Sequence, residues 1–161
     1  MSLSFNRLLD RWKHRNLSYA GSVELRDHLD RSSMSYADFK LTSTQVDTLN
    51  ATPVTVIAAP GAGLINQVIG VAWFNDFNSV AFSAVALEVR YTDGSGVKCA
   101  GDLPSGTVDA TADEYYYSLG AAGVPVANAA IVVNAASDIS AGNGTIYGRI
   151  YYTTWKPSEL S

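Results

Sequence analysis

Two patterns of apolar and polar positions divide the chain. Near its start, apolar residues recur at three- and four-residue spacing, which places them on one side of an α-helix: Phe5, Leu8, Leu9 and Trp12. Ser4 precedes them and can cap the helix. The pattern predicts a short amphipathic helix that is marginal alone in water. The polar sequence up to residue 40 keeps no sustained period, so we expect an extended or partly helical connector there.

From Leu41 onward, short runs of Val, Ile, Ala, Tyr and Thr alternate with clusters of Gly, Pro and Asp. Strands are predicted at Val54 to Ala58, at Asn66 to Asp76, and within "AVALEVRY", "VKCAGDLP", "EYYYSLG", "AAIVVNAA" and "GNGTIYGRIYYTTW". The fold class is therefore all-β: an antiparallel jelly-roll β-sandwich of about eight strands, preceded by an N-terminal arm with a short amphipathic helix. The predicted organisation is an arm over residues 1–40 and a β-sandwich domain over residues 41–161.

The last predicted strand has two different sides. Because successive side chains of a strand point to opposite faces, one face carries Ile146, Gly148, Ile150 and Tyr152. The other face carries Thr145, Tyr147, Arg149 and Tyr151. Three successive tyrosines, Tyr115 to Tyr117, must also present at least one ring outward. Such tyrosines are compatible with ordinary cross-strand packing, with a protein interface or with a platform for sugars.

Charge changes along the chain in the same way as the pattern does. Residues 1–40 carry seven basic and five acidic residues, whereas the rest carries four basic and ten acidic ones. The net charge of -4 gives no general reason to expect a nucleic-acid partner. Charges interrupt the apolar residues of "MSLSFNRLLDRWKHR", so we expect neither a signal peptide nor a membrane anchor.

Few residues suggest chemistry. Both histidines, His14 and His28, lie in the arm, so a Ser-His-Asp site within the β domain is excluded. Cys99 is the single cysteine, and we expect a small buried thiol on a strand. An acidic group at Asp109, Asp113 and Glu114 leaves a carboxylate glycosidase as a third-ranked hypothesis. We therefore expect a protein that is not an enzyme and that has no catalytic residue, metal or cofactor.

Several phrases together carry a family resemblance: "LTSTQVDTLNATPVTVIAAPGAG", "LEVRYTDGSG", "ATADEYYYSLGAAG", "VPVANAAIVVNAAS" and "GNGTIYGRIYYTTW". Over roughly residues 41–155, the chain resembles small bacteriophage virion proteins, similar to the jelly-roll decoration (cement) proteins on the outside of capsids. Related jelly rolls serve as head fibres and tail components. The arm lies outside the resemblance.

The resemblance implies a virion protein that is made in the host cytoplasm and binds the outer capsid surface. It also implies that the protein bridges adjacent subunits of the major capsid protein and packs with copies of itself, commonly as a homotrimer. For the capsid contact we expect the arm residues Phe5, Arg7, Leu8, Leu9, Arg11, Trp12 and Arg15. The alternative is a head-fibre or tail-tip module that binds a host receptor or glycan through Tyr115, Tyr117, Tyr147, Arg149 and Tyr151.

Overall fold

Seven strands in two antiparallel sheets form most of the regular secondary structure of the described residues, which confirms the all-β prediction. A computed structural model describes residues 34–121 and 124–159. Its strands are β1 Ser35–Leu41, β2 Val54–Ile57, β3 Ile65–Asp76, β4 Leu87–Tyr91, β5 Glu114–Leu119, β6 Ile131–Ala135 and β7 Thr145–Trp155. Two short α-helices, α1 Ser43–Thr48 and α2 Ser105–Val108, and a 3-10 helix at Pro157–Glu159 complete the described elements.

The strand order places sequence-distant segments side by side. The larger sheet has the order β1-β7-β3-β5, and the smaller sheet has the order β2-β6-β4. Beside β4 runs the segment 97–103, which lies within the predicted strand "VKCAGDLP" and pairs with β4 through the bridges Arg90 to Lys98 and Leu87 to Leu103. This segment therefore extends the smaller sheet by isolated bridges rather than by a continuous strand.

One apolar core lies between the two sheets. The larger sheet contributes Trp73, Ile146 and Ile150, all nearly inaccessible to solvent, and the smaller sheet contributes residues such as Val89 and Ile131. A buried hydrogen bond also joins the sheets, since the Tyr91 hydroxyl on β4 donates to the carbonyl of Asn66 on β3 at 2.9 Å. Burial, the largest influence, raises the pKa of Tyr91 to about 12, so this hydroxyl keeps its proton at neutral pH.

Strand β1 begins earlier than the change in composition suggests. Residues Ser35 to Lys40 belong to the predicted connector, yet they form the edge strand beside β7. Helix α1 follows at once, and a capping box defines its start: Thr42 accepts from the amide of Gln45, and the Gln45 side chain accepts from the amide of Thr42. The helix places Val46 in the core, where it is fully buried.

The predicted arm helix, and with it the arm residues from Phe5 to Arg15 and both histidines, lies outside the described residues. Within residues 34–121 and 124–159, no helix combines the length and apolar character that a membrane crossing requires.

Candidate functional site

The outward side of the larger sheet carries a concentration of aromatic rings. The pairing registers place these rings on the same side, because residues directly opposite each other on neighbouring strands project from the same face of the sheet. We call this surface the aromatic face and define it by Tyr36, Phe74, Tyr115, Tyr117, Tyr147 and Tyr151. Tyr115 is 80% exposed and Tyr36 is 60% exposed, so the face is open to a partner.

Three rings of the aromatic face form a stack that crosses three strands. Phe74 on β3 stacks on Tyr115 of β5, with ring centroids 4.4 Å apart and planes at 18°. On its other side Phe74 stacks on Tyr147 of β7, with centroids 6.1 Å apart. At the β1 end, the Lys40 ammonium lies 5.5 Å from the centre of the Tyr147 ring, a cation–π distance. The stack is therefore capped by a cation at one end and ends at the exposed Tyr115 ring at the other.

An ion pair lies beside this stack. The Arg149 guanidinium donates two hydrogen bonds to the Asp38 carboxylate, from Nε to Oδ1 at 2.6 Å and from Nη2 to Oδ2 at 2.9 Å. The same guanidinium lies 4.3 Å from the centre of the Tyr36 ring. The hydrogen bond from Arg149 lowers the pKa of Asp38, and the hydrogen bond to Asp38 raises the pKa of Arg149. Both groups are therefore charged at neutral pH, and they fix each other's orientation.

A shallow concavity of about 540 Å³ opens between the ion pair and the stack. Ala72 presents only a methyl group there, so its larger neighbours form the walls, among them Asp38, Phe74, Tyr115, Tyr147 and Arg149. The size lies within the usual range for a small-ligand site, and the walls combine aromatic rings with one charged pair. Such an arrangement suits binding by stacking and hydrogen bonding.

Tyr117 occupies the next part of the aromatic face. A Cβ atom on Gly70 would lie 2.2 Å from the Tyr117 hydroxyl oxygen, so the ring covers the space that this glycine leaves on β3. Tyr117 is still 53% exposed.

The acidic residues considered for catalysis lie apart from the concavity lining. Asp109 ends α2, and the Asp113 carboxylate accepts a hydrogen bond from the amide of Phe77 at 3.0 Å. Glu114 begins β5 at an exposed position. Asp113 therefore has a structural role, because its carboxylate fixes the backbone that follows β3. Among the described residues, histidine, cysteine and acidic side chains form no group of three or more that is arranged to hold a metal ion.

The structure brings three of the five residues predicted for the surface interface together at the concavity, beside residues that the sequence did not single out. Tyr115, Tyr147 and Arg149 surround the concavity, and Tyr117 and Tyr151 lie further along the same face. Phe74, Tyr36, Asp38 and Lys40 were missed because they come from other strands. The alternation of Tyr36, Asp38 and Lys40 with more buried residues was the available signal for β1.

No family model and no curated protein matches the chain. Among solved structures, the protein is similar to a chain of the acidic stable capsid of the Helicobacter pylori bacteriophage KHP30. The identity is 17%, the TM-score is 0.50, and the match covers 76% of this chain and 89% of that chain. A chain of the cyanophage Pam1 capsid asymmetric unit is also similar, at 18% identity and a TM-score of 0.46, with 75% and 83% covered. The KHP30 likeness shows a shared fold.

Proposed function

We propose that this protein is a structural component of a bacteriophage particle that binds the outside of the assembled capsid as a decoration, or cement, protein. The observation that carries the proposal is the fold it shares with a chain of the KHP30 capsid, over most of both chains. The described residues contribute a rigid apolar core and an exposed aromatic face, which suit binding rather than turnover. We accordingly propose that the protein is not an enzyme.

The proposed architecture is a jelly roll. The four-stranded order β1-β7-β3-β5 faces β2-β6-β4, and segment 97–103 runs beside β4 as a fourth element of the smaller sheet. Two four-element antiparallel layers with these connections are the arrangement of an eight-stranded jelly roll. The strand order supports this assignment over a simple up-and-down sandwich.

Stabilisation of the capsid follows from mass action. A ligand that binds only the assembled shell shifts the equilibrium toward that shell, and an oligomer that contacts several subunits gains effective concentration. In this proposal the arm inserts its apolar side chains between neighbouring major capsid subunits, while the arm arginines flank them: the inserted residues are Phe5, Leu8, Leu9 and Trp12. Copies of the protein associate on the outer surface, and the family resemblance favours a trimer.

Quantitative mass spectrometry of purified virions tests the proposal. We expect a copy number comparable with that of the major capsid protein, and a handful of copies per virion would contradict decoration.

In a second experiment, undecorated capsids are mixed with full-length protein that carries Leu9→Asp. We expect attachment to be lost, whereas the exposed Val80→Ala substitution in the β domain serves as the matched control and leaves attachment unchanged.

The second candidate is a head-fibre or tail-tip module that binds a host glycan. The concavity beside the stacked rings of Phe74 and Tyr115 favours it, because sugar rings pack their C–H faces on exposed aromatic rings. Arg149 and Asp38 line the same concavity and supply donor and acceptor groups of the kind that sugar hydroxyls bond.

Titration of host surface polysaccharide into the protein tests this candidate. We expect Tyr115→Ala and Tyr147→Ala each to weaken binding at least several-fold, while Val80→Ala, also exposed but outside the concavity lining, leaves it unchanged. Binding that is equal for all three variants would contradict the glycan site.

A further inference from the structure

Strand β5 is an edge strand with unusual side chains. It pairs with β3 in one continuous register over six residue pairs, from Asn75 opposite Glu114 to Gly70 opposite Leu119. Tyr115 is 80% exposed, Tyr117 53% and Leu119 71%. Natural edge strands are usually protected by lysines, prolines, bulges or shortness. The sequence of β5, EYYYSL, contains none of the protecting residues, and its only charge lies at its first position.

Two backbone hydrogen bonds show which groups of β5 point away from β3. The amide of Gly120 donates to the carbonyl of Ile69 on β3, so the backbone groups of Gly120 point toward β3. The carbonyl of Leu119 instead accepts from the amide of Gly101, on the opposite edge. Because backbone groups alternate in direction along a strand, those of Tyr115 and Tyr117 point away from β3, in phase with Leu119.

Segment 99–101 limits the open part of this edge. Its residues bond to Leu119 and Ala121, and Ala100 forms a bridge with Gly120. Within the described residues, the edge that this segment leaves open runs from Glu114 to Ser118. The open edge coincides with the Tyr115 end of the aromatic stack, where none of the described residues places a cation over the ring as Lys40 does over Tyr147.

We propose that β5 pairs antiparallel with β5 of a second copy, in a register centred on Tyr116. In this twofold arrangement, the outward backbone groups of Tyr115 face those of Tyr117 of the second copy, and the reverse pair forms by symmetry. Four backbone hydrogen bonds result, because residues that face each other in this way exchange both bonds. The two four-stranded sheets become one sheet of eight strands.

The alternative register centred on Tyr117 is less favourable for a reason visible in the structure. It would place Tyr115 opposite Leu119 of the second copy, and the Leu119 carbonyl is already bonded to Gly101. The register centred on Tyr116 uses only backbone groups on the open edge. It also brings Tyr115 against Tyr117 of the second copy, which is a favourable cross-strand aromatic pair, and it places Glu114 opposite Ser118 rather than opposite another acid.

This contact closes at two copies, as a self-complementary interface does. It is separate from the trimer contact of the proposed function, because it concerns the protein in solution and holds whether or not the chain binds a capsid. A trimer would require a different surface.

Cysteine cross-linking of the full chain tests both the contact and its register. In the proposed pairing, Tyr116 faces Tyr116 of the second copy as a non-hydrogen-bonded pair, with Cα atoms about 4.5 Å apart, within reach of a disulfide. Two copies of Leu119 would be about 20 Å apart along the strands. We therefore expect Tyr116→Cys to form interchain disulfides about tenfold faster, or more, than the exposed control Leu119→Cys under the same mild oxidation.

Equal rates at the two positions would overturn the pairing, and fastest cross-linking of Tyr117→Cys would overturn the register.

A second comparison avoids added cysteines. Tyr117→Pro removes a backbone donor that points away from β3, which an edge strand tolerates, whereas Tyr117→Ala removes the same ring and keeps the donor. By sedimentation equilibrium, we expect the proline variant to dimerise about tenfold more weakly than the alanine variant, or weaker still. Equal dimerisation of these two variants, or a wild-type chain that remains monomeric at high micromolar concentration, would also overturn the proposal.

Discussion

Phe39 and Trp73 meet edge to face across Gly148, with ring centroids 5.4 Å apart and ring planes at 83°. The three residues lie on neighbouring strands, and Gly148 is opposite both aromatic residues in the pairing register. The missing side chain of Gly148 therefore makes room for an aromatic pair that joins β1 to β3 above the central strand β7. Such edge-to-face pairs add stability beyond that of buried area alone.

Gly148→Ala should destabilise the protein. A Cβ atom at this position would lie 2.1 Å from Cζ of Phe39, so the ring must shift and its packing on Trp73 is disturbed. We expect a loss of about 1–3 kcal/mol in the free energy of unfolding, as for other overpacked sites. Urea denaturation measures it. Gly106→Ala is the matched control, because nothing lies within 4 Å of the added methyl group there. Equal stability of the two variants would contradict the role of Gly148.

Glu88 should make stability depend on acid pH. This residue is only 5% exposed and forms ion pairs with Arg90 at 2.7 Å and Lys98 at 2.8 Å. Burial is the largest single influence and raises its pKa, but the hydrogen bonds and charges of Arg90 and Lys98 together outweigh it, so the pKa lies below its ordinary value of 4.5. The stabilisation is therefore complete above that value and is lost as the pH falls through the lowered pKa.

Glu88→Gln tests this dependence. Near pH 7 we expect the variant to be less stable by about 1–3 kcal/mol, because two charge-assisted hydrogen bonds are weakened. The difference from the wild type should shrink as the pH falls below 4.5, where the wild-type carboxylate becomes protonated. Denaturation curves from pH 7 to pH 3 measure both. Asp38→Asn, at an exposed ion pair, is the control and should cost much less. A pH-independent difference for Glu88→Gln would contradict the assignment.

Cys99 should be unreactive in the folded protein. Its side chain is 4% exposed, and burial raises the pKa of its thiol to about 12. Since the thiolate is the reactive form, we expect almost no alkylation by iodoacetamide at pH 8 without denaturant and complete alkylation in guanidinium chloride. Mass spectrometry of the intact chain measures the extent. Rapid labelling of the native protein would show that segment 97–103 opens from β4.

Thr42→Ala should destabilise α1. The Thr42 side chain accepts from the amide of Gln45 as the helix cap, and α1 in turn places the fully buried Val46 in the core. We expect a loss of about 0.5–2 kcal/mol in the free energy of unfolding, typical of a lost cap. Urea denaturation measures it, and Thr42→Ser, which keeps the capping oxygen, should remain close to the wild type. Equal losses for both variants would show that the methyl group, not the cap, matters.

The sequence was most informative where burial and spacing agree. The division of β7 into two faces was predicted correctly, since Ile146 and Ile150 are fully buried while Tyr147 and Arg149 lie on the opposite side. Strand β1 was missed because its outward positions, Tyr36, Asp38 and Lys40, resemble the polar sequence before them. Pairing with β7 outweighs that local composition.

The candidate site could be predicted only in part for the same reason. Tyr115 and Tyr147 stand out in the sequence, but Phe74 lies within an apolar run typical of a strand that is covered on both sides. Its exposure to the concavity depends on the strand order β1-β7-β3-β5, which places β3 between two tyrosine-bearing strands. Local periodicity does not specify which strands become neighbours.

The pairing of β1 with β7 also determines how the domain responds to force. Ser35, where β1 begins, is opposite Tyr152, close to the end of β7. Tension applied between the segment that precedes Ser35 and the segment that follows Trp155 would therefore act at one end of the ladder and open its residue pairs one after another. Tension between the segment before Ser35 and the Thr145 end of β7 would instead load all the pairs along the strands at once. The protein should consequently be mechanically weak in the first direction and strong in the second.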